Sequence, residues 1–472
     1  MDKHSKIIIA VLLSVTSVVS LLMLTQIDWH TQGYLGFGLS AAILGLAWAL
    51  LDFESLLLFI LAGLPTIYNF NSFKISLPLN NFLPSYLSAD ISLNPISLVY
   101  LLLLCFFLIT LLDFRHNFSN IPLKIVIGLS AAWAALSVLW SDSKAISLIE
   151  LVYFIIPFIF YFLSYKTFST PKKFFRLFAV LIASSIVPLL YSFWQLGFGN
   201  LYYEADSSLG RLDSTMAHPN SYGLFLAVII GLALSYYLAK KDRSPRGNMP
   251  LIAFVATAMI ALLLTYSRTS WICLAIFILI ISIRERFIGR LAVISTPVII
   301  FIILLFDSIR FRLLDIFDNS IFSSVGARTN LWGVTWQKIV EQPVFGYGIG
   351  TAEPVIELAK TWQGGASVPH NDFLLQTLEL GLFGLFLYCL YTFGAMKLFV
   401  ETAGRLKDKF SELEAFKQKS FVNLHVLAVG ISLTYISLLP ATVFESVSQK
   451  ILIQIIFWSL LGGLLANRKS PA

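Results

Sequence analysis

Apolar runs of roughly 20 residues recur along the whole chain, separated by short polar turns. That is the pattern of membrane-spanning helices. About fourteen runs are predicted to span, over 7–25, 33–51, 55–69, 95–113, 121–140, 146–165, 176–196, 221–239, 250–266, 269–283, 290–306, 372–399, 421–440 and 450–466. The third is short, and the pair within 250–283 is tight for two crossings. Each run is continuous rather than alternating, which argues against a strand barrel. The first follows Lys3 and Lys6 without a clear small-x-small cleavage site, so it reads as a retained helix. The predicted fold is an all-α polytopic membrane protein with about 12–14 transmembrane helices.

The longest polar stretch that no span can absorb runs over 307–370. Within it Arg328, Trp332, Thr335, Trp336 and Ile339 recur at helical spacing. They predict a short amphipathic helix whose two tryptophans lie at the headgroup level. Pro343 ends that helix, and Gly346, Gly348 and Gly350 predict tight turns after it. The glycines are not a nucleotide fingerprint, because no strand precedes them. The organisation expected is an N-terminal spanning part over 1–200, a core over 201–400 that contains the 307–370 loop, and a basic loop with the last spans over 401–472.

Composition sharpens this picture. The chain has 472 residues, 57% hydrophobic and 12% charged, with a mean hydropathy of +0.81. The net charge of +7 does not point to nucleic acid, since Lys and Arg gather in alternate loops. Those loops hold Arg115; Lys166, Lys172, Lys173 and Arg176; Lys240, Lys241, Arg243 and Arg246; Arg284, Arg286 and Arg290; and Arg405 to Lys419, with Arg468 and Lys469 at the end. The positive-inside rule then predicts both termini in the cytoplasm. The acidic turn Asp52-Phe53-Glu54 falls on the same side. Cys105, Cys273 and Cys389 lie within apolar runs and offer neither a disulfide framework nor metal-ligand spacing.

This topology leaves few arginines outside: Arg211, Arg268, Arg310, Arg312 and Arg328. They run against the charge bias. Arg268 stands at a Ser-Arg-Thr tip between two apolar runs, as a phosphate ligand or as a residue snorkelling to headgroups. Arg211 precedes His218-Pro219-Asn220; its plain structural alternative is an ion pair with Asp213. His218 could bond a carbonyl beside Pro219, and Asn220 could cap a helix beginning at Ser221. Arg328 near the start of the amphipathic helix fits an anion site or an interfacial anchor. His370 opens an apolar helix. A neutral imidazole among guanidiniums suits a general base acting on a lipid-linked phosphate. Asn371 could orient it or cap the helix. Gly381 and Gly384 predict a flat face for close packing. No carboxylate cluster suits Mg²⁺.

Together, His-Asn-x9-Gly-x-x-Gly from His370, the Arg-x-x-x-Trp helix with Pro-x-x-Gly-x-Gly, the Ser-Arg-Thr tip and the Arg…His-Pro-Asn segment resemble the O-antigen ligase and O-antigen polymerase superfamily over about 205–400. The resemblance implies a GT-C-type glycosyltransferase of the bacterial inner membrane, with its active site periplasmic. The donor would be an undecaprenyl-diphosphate-linked glycan. The acceptor would be the lipid A core for a ligase, or a lipid-linked repeat unit for a polymerase. His370 would be the base, and Arg211, Arg268 and Arg328 the diphosphate binders. Asn371, Trp332, His218 and Asn220 would support them. The reaction would be inverting and need neither metal nor cofactor. Ligase is expected ahead of polymerase, with a lipid-linked sugar transporter or a membrane scaffold as the other classes. The unusual charges lie at the outer face rather than the midplane, which disfavours transport.

Overall fold

A computed structural model describes residues 52–67, 75–77, 91–93, 121–199, 201–203, 209–216, 218–240, 244, 246–285, 289–290, 293, 306–314, 324–360, 368–412 and 423–469. The expected spans at 7–25, 33–51 and 95–113, most of that at 290–306, and Cys105 lie outside these residues. The chain is an all-α polytopic membrane protein. Seven of its described helical stretches are long and apolar enough to cross a membrane. The described elements begin with α1 (Phe53–Ile67), one antiparallel pair of β1 (Ile75–Leu77) and β2 (Ile91–Leu93) with Ile75 opposite Leu93, α2 (Lys124–Ser137) and α3 (Lys144–Thr167). The single span expected at 176–196 is two helices, α4 (Pro171–Ala183) and α5 (Ile186–Phe198), meeting at Ser184-Ser185.

α6 (Pro219–Ala239) is the buried centre. It is apolar on every side, as a helix enclosed by others must be. α7 (Met249–Leu264), α8 (Arg268–Arg284) and α13 (Leu424–Ser437) pack directly on it. The approach is close because small residues face one another. A Cβ on Gly430 would run into Ser235, one on Gly231 into Thr434, and one on Gly223 into Ser270. Lipid tails are as apolar as leucine, so such contacts hold membrane helices together by packing rather than by exclusion of water. α15 (Ile451–Lys469) lies along α3, with Gly462 against the Tyr161 carbonyl. The tight pair expected within 250–283 is the α7–α8 hairpin, turned by Tyr266 at φ 50. At about 1.5 Å per residue, α8 reaches roughly 25 Å.

Glu54 resolves the acidic turn. It pairs with Lys173 at 2.9 Å and with Arg176 at 3.2 Å. The start of α1 therefore lies on the same side as that basic loop.

The 307–370 loop carries α9 (Asp307–Leu314), α10 (Ser324–Glu341) and α11 (Ala352–Ala359) among its described residues. α10 is helical as expected, but its faces divide differently. Leu331, Thr335 and Ile339 turn inward, and Trp336 is 59% exposed. Trp332 turns toward protein, donating from Nε1 to the Pro369 carbonyl at 2.6 Å. The exposed face therefore keeps one of the two expected tryptophans.

α12 (Asp372–Glu412) is the longest of the described helices, and Gly381 (φ 69, ψ −173) breaks it. The expected flat packing face at Gly381 is thus a left-handed break, with the 343–350 loop laid across it. A helix break frees carbonyls that lipid cannot satisfy. Here Leu378 O accepts from Tyr347 N (2.9 Å), Glu379 O from Gly348 N (2.8 Å), and Leu380 O from Trp133 Nε1 (2.8 Å). Leu382 N donates to Pro343 O at 2.8 Å. Any Cβ at Gly381 would strike the Val344 carbonyl. Gly346, Gly348 and Gly350 all have positive φ, as the turn reading requires.

Candidate active site

Four segments distant in sequence meet at one end of the bundle: the 211–220 stretch, α10, the turn before α12, and the 445–450 turn before α15. Their hub is Glu445, which is fully buried. Its Oε1 accepts from Arg328 Nη2 at 2.8 Å and from Asn220 Nδ2 at 2.6 Å. Its Oε2 faces His370 Nδ1 at 3.5 Å. Asn220 Oδ1 accepts in turn from Arg211 Nη2 at 2.8 Å. A chain of contacts thus runs from Arg211 through Asn220 and Glu445 to His370. Burial alone would raise the Glu445 carboxyl. The His370 ring facing it at 3.5 Å and the charges of Arg328 and Lys450 outweigh it and hold the group down at about 2.

Glu445 belongs to no expected set of site residues. A signal was present: it is the lone acid in the outer turn between the last two apolar runs. Its partners, however, lie 117 and 225 positions away. Because of Glu445, Arg328 stands beside a carboxylate as well as a base.

Each expected residue has a definite place. Arg211 is 2% exposed, and its Nε donates to the Thr265 carbonyl at 2.9 Å. Its backbone pairs with Tyr202 in a two-way bridge. The Asp213 carboxylate accepts from Gln195 Nε2. Arg268 opens α8 one turn beyond Thr265 and is half-buried. Arg328 keeps 21% of its side chain exposed. The helix expected to begin at Ser221 begins at Pro219, and its cap is His218, whose Nδ1 accepts the Asn220 N–H at 3.1 Å. This leaves the Asn220 side chain for Glu445. Asn371 does cap α12, its Oδ1 accepting from Leu374 N at 3.1 Å.

His370 sits at φ 47, a left-handed conformation that a residue with a Cβ rarely adopts. Contacts on both sides hold it there. Before it, Trp332 binds the Pro369 carbonyl. After it, the buried Asp372 carboxylate accepts from Ser448 N and Oγ and from Tyr388 OH (3.0 Å). That second clamp ties the start of α12 to the turn carrying Glu445. Among the described residues, no group of three or more His, Cys, Asp or Glu side chains is placed to hold a metal ion.

Residues 252–389 match the family model described as O-antigen ligase. Over that stretch, less than a third of the chain, the sequence is similar to O-antigen ligases. The O-antigen ligase match takes in Arg268, Arg328, Trp332, His370 and Asn371 and stops short of Glu445. A protein of Rickettsia conorii described as "Putative polysaccharide ligase" is 27% identical over 114 residues. That alignment covers 22% of this chain and 26% of the relative. Both comparisons point to similarity with O-antigen and polysaccharide ligases over part of the chain, and the aligned stretch spans about a quarter of the relative's length.

Proposed function

We propose that this O-antigen ligase-family protein is a glycosyltransferase of the bacterial inner membrane. It moves a glycan from undecaprenyl diphosphate to an acceptor hydroxyl on the periplasmic side, with the lipid A core as acceptor. The observation that carries the reading is the His370–Glu445 pair with Arg328 on the second carboxylate oxygen. Glu445 receives Nδ1–H, which leaves Nε2 to take the acceptor proton. The carboxylate then stabilises the imidazolium that forms, the logic of a hydrolase triad.

The acceptor oxygen attacks the anomeric carbon opposite the departing diphosphate. The C–O bond to the acceptor forms as the bond to the diphosphate breaks, and the configuration inverts. Negative charge grows on the diphosphate oxygens. Guanidiniums at Arg268 and Arg328 fork onto them and supply the stabilisation often given by a metal. Arg211, deeply buried, supports the site through Asn220 and Glu445. On this reading the active unit is the 201–400 core joined by the 445–450 turn.

The test is transfer by purified protein from undecaprenyl-diphosphate oligosaccharide, with EDTA present and lipid A core and lipid-linked repeats offered separately. Modified lipid A core is expected, and His370→Ala, expressed normally, loses it. A growing lipid-linked ladder would make the protein a polymerase instead. An intact donor with either acceptor would overturn the transferase reading.

A further inference from the structure

The site holds two imidazoles, and the fold treats them oppositely. His370 Nδ1 faces a carboxylate. His218 Nδ1 instead accepts a backbone N–H from Asn220. A ring nitrogen that accepts carries no proton, so the neutral His218 ring must carry its proton on Nε2. That Nε2–H has no protein acceptor among the described residues. The ring itself is fixed, half-buried with Tyr202 at 5.3 Å between centroids. The charged groups facing it are Lys450, Glu445, Arg211 and His370. Burial first, then Lys450, lowers its pKa to about 4, with Glu445 opposing. The ring is therefore neutral at physiological pH.

Lys450 stands on the same turn as Glu445, immediately before the first residue of α15. It is half-buried, and its Nζ makes no hydrogen bond or ion pair within 4.0 Å among the described residues. The site thus offers one neutral donor locked by a helix cap and one cation beside it. Both come from segments outside the family match at 252–389.

We propose that His218 gives its Nε2–H to an oxygen of the leaving diphosphate, and that Lys450 supplies positive charge to the same group. His218 cannot exchange roles with His370, since protonating Nδ1 would break the α6 cap. Two imidazoles whose Nδ1 atoms meet opposite partners, a carboxylate and a backbone N–H, then divide the work, one as base and one as electrophile. This inference rests on the transferase reading above.

The experiment measures binding of undecaprenyl diphosphate to purified protein, together with transfer. His218→Asn places an amide oxygen where Nδ1 was, so the cap survives while the Nε2 donor is lost. We expect an unchanged melting temperature and binding roughly ten- to a hundredfold weaker, the range for a hydrogen bond to a charged group. His218→Gln, whose amide nitrogen reaches the Nε2 position, recovers part of the loss. Lys450→Met leaves the cap untouched and should weaken binding about tenfold, so it decides the matter should His218→Asn melt early. Wild-type affinity in a folded His218→Asn or in Lys450→Met would overturn the inference and leave the transferase reading standing. No binding by the wild type would overturn both.

Discussion

Polar groups in the α6–α13 interior and polar groups around Glu445 are satisfied in opposite ways. Inside the bundle three buried serine and threonine hydroxyls turn back on their own helices. Ser235 Oγ donates to Gly231 O, Ser432 Oγ to Ala428 O, and Thr434 Oγ1 to Gly430 O, each four residues earlier. Such a hydroxyl is neutralised locally and leaves its helix free to pack. Around Glu445 the partners are remote: Arg328, Asn220 and His370 arrive from three other segments. Local satisfaction builds a scaffold that tolerates change. Remote satisfaction makes a site that fails as a unit.

Glu445→Ala should break that contrast most sharply. Transfer should fall by at least about a hundredfold, the low end for a positioned base. Stability should drop toward the lower end of the roughly 3–5 kcal/mol seen on breaking buried pairs, because Arg328 still reaches water. Denaturation in detergent measures it. Acid tests the same group. The folded pKa near 2 lies below the ordinary 4.5. The Glu445 contribution is thus complete above about 4.5 and lost as pH falls toward 2. The melting-temperature difference between wild type and Glu445→Ala should hold from pH 7 to 5 and shrink below that.

Gly381→Ala comes next. Its Cβ meets the Val344 carbonyl at a left-handed φ. A loss of about 1–3 kcal/mol is expected, with transfer falling as the 343–350 loop lifts. Gly430→Ala overpacks against Ser235. It should destabilise by about 1–3 kcal/mol yet leave transfer per folded molecule unchanged. Transfer that fell alongside would erase the distinction between scaffold and site. Ser432→Ala removes one local hydroxyl bond and should shift stability by no more than about 1 kcal/mol, read as a small change in melting temperature.

The spanning helices were legible because hydropathy over a bilayer-length window is a local property. His370, Arg328 and Asn371 were legible because they stand against the charge bias or at a helix start. What lay hidden was tertiary. Glu445 reads as one acid in a short turn until Arg328 and Asn220 are folded onto it. Gly381 reads as a packing glycine, since spacing carries no dihedral. Trp332 reads as an interfacial residue because periodicity cannot say which aromatic turns toward Pro369. His218 reads as an accessory of Pro219 until the helix is seen to start one residue later.

The break at Gly381 also divides α12 into two pieces with different allegiance. The stretch from Asp372 to Leu380 is fastened to the outer loop through Tyr347 and Gly348 and to the last turn through Ser448. The stretch beyond it belongs to the bundle. Adding one residue below Gly381 would rotate the lower piece by about 100° against its neighbours. The upper piece would keep its loop contacts, but Tyr388 on the lower piece would leave the Asp372 carboxylate it bonds at 3.0 Å. The membrane half therefore shares in the clamp on His370 through that one tyrosine, and a change of its registry is expected to loosen the base.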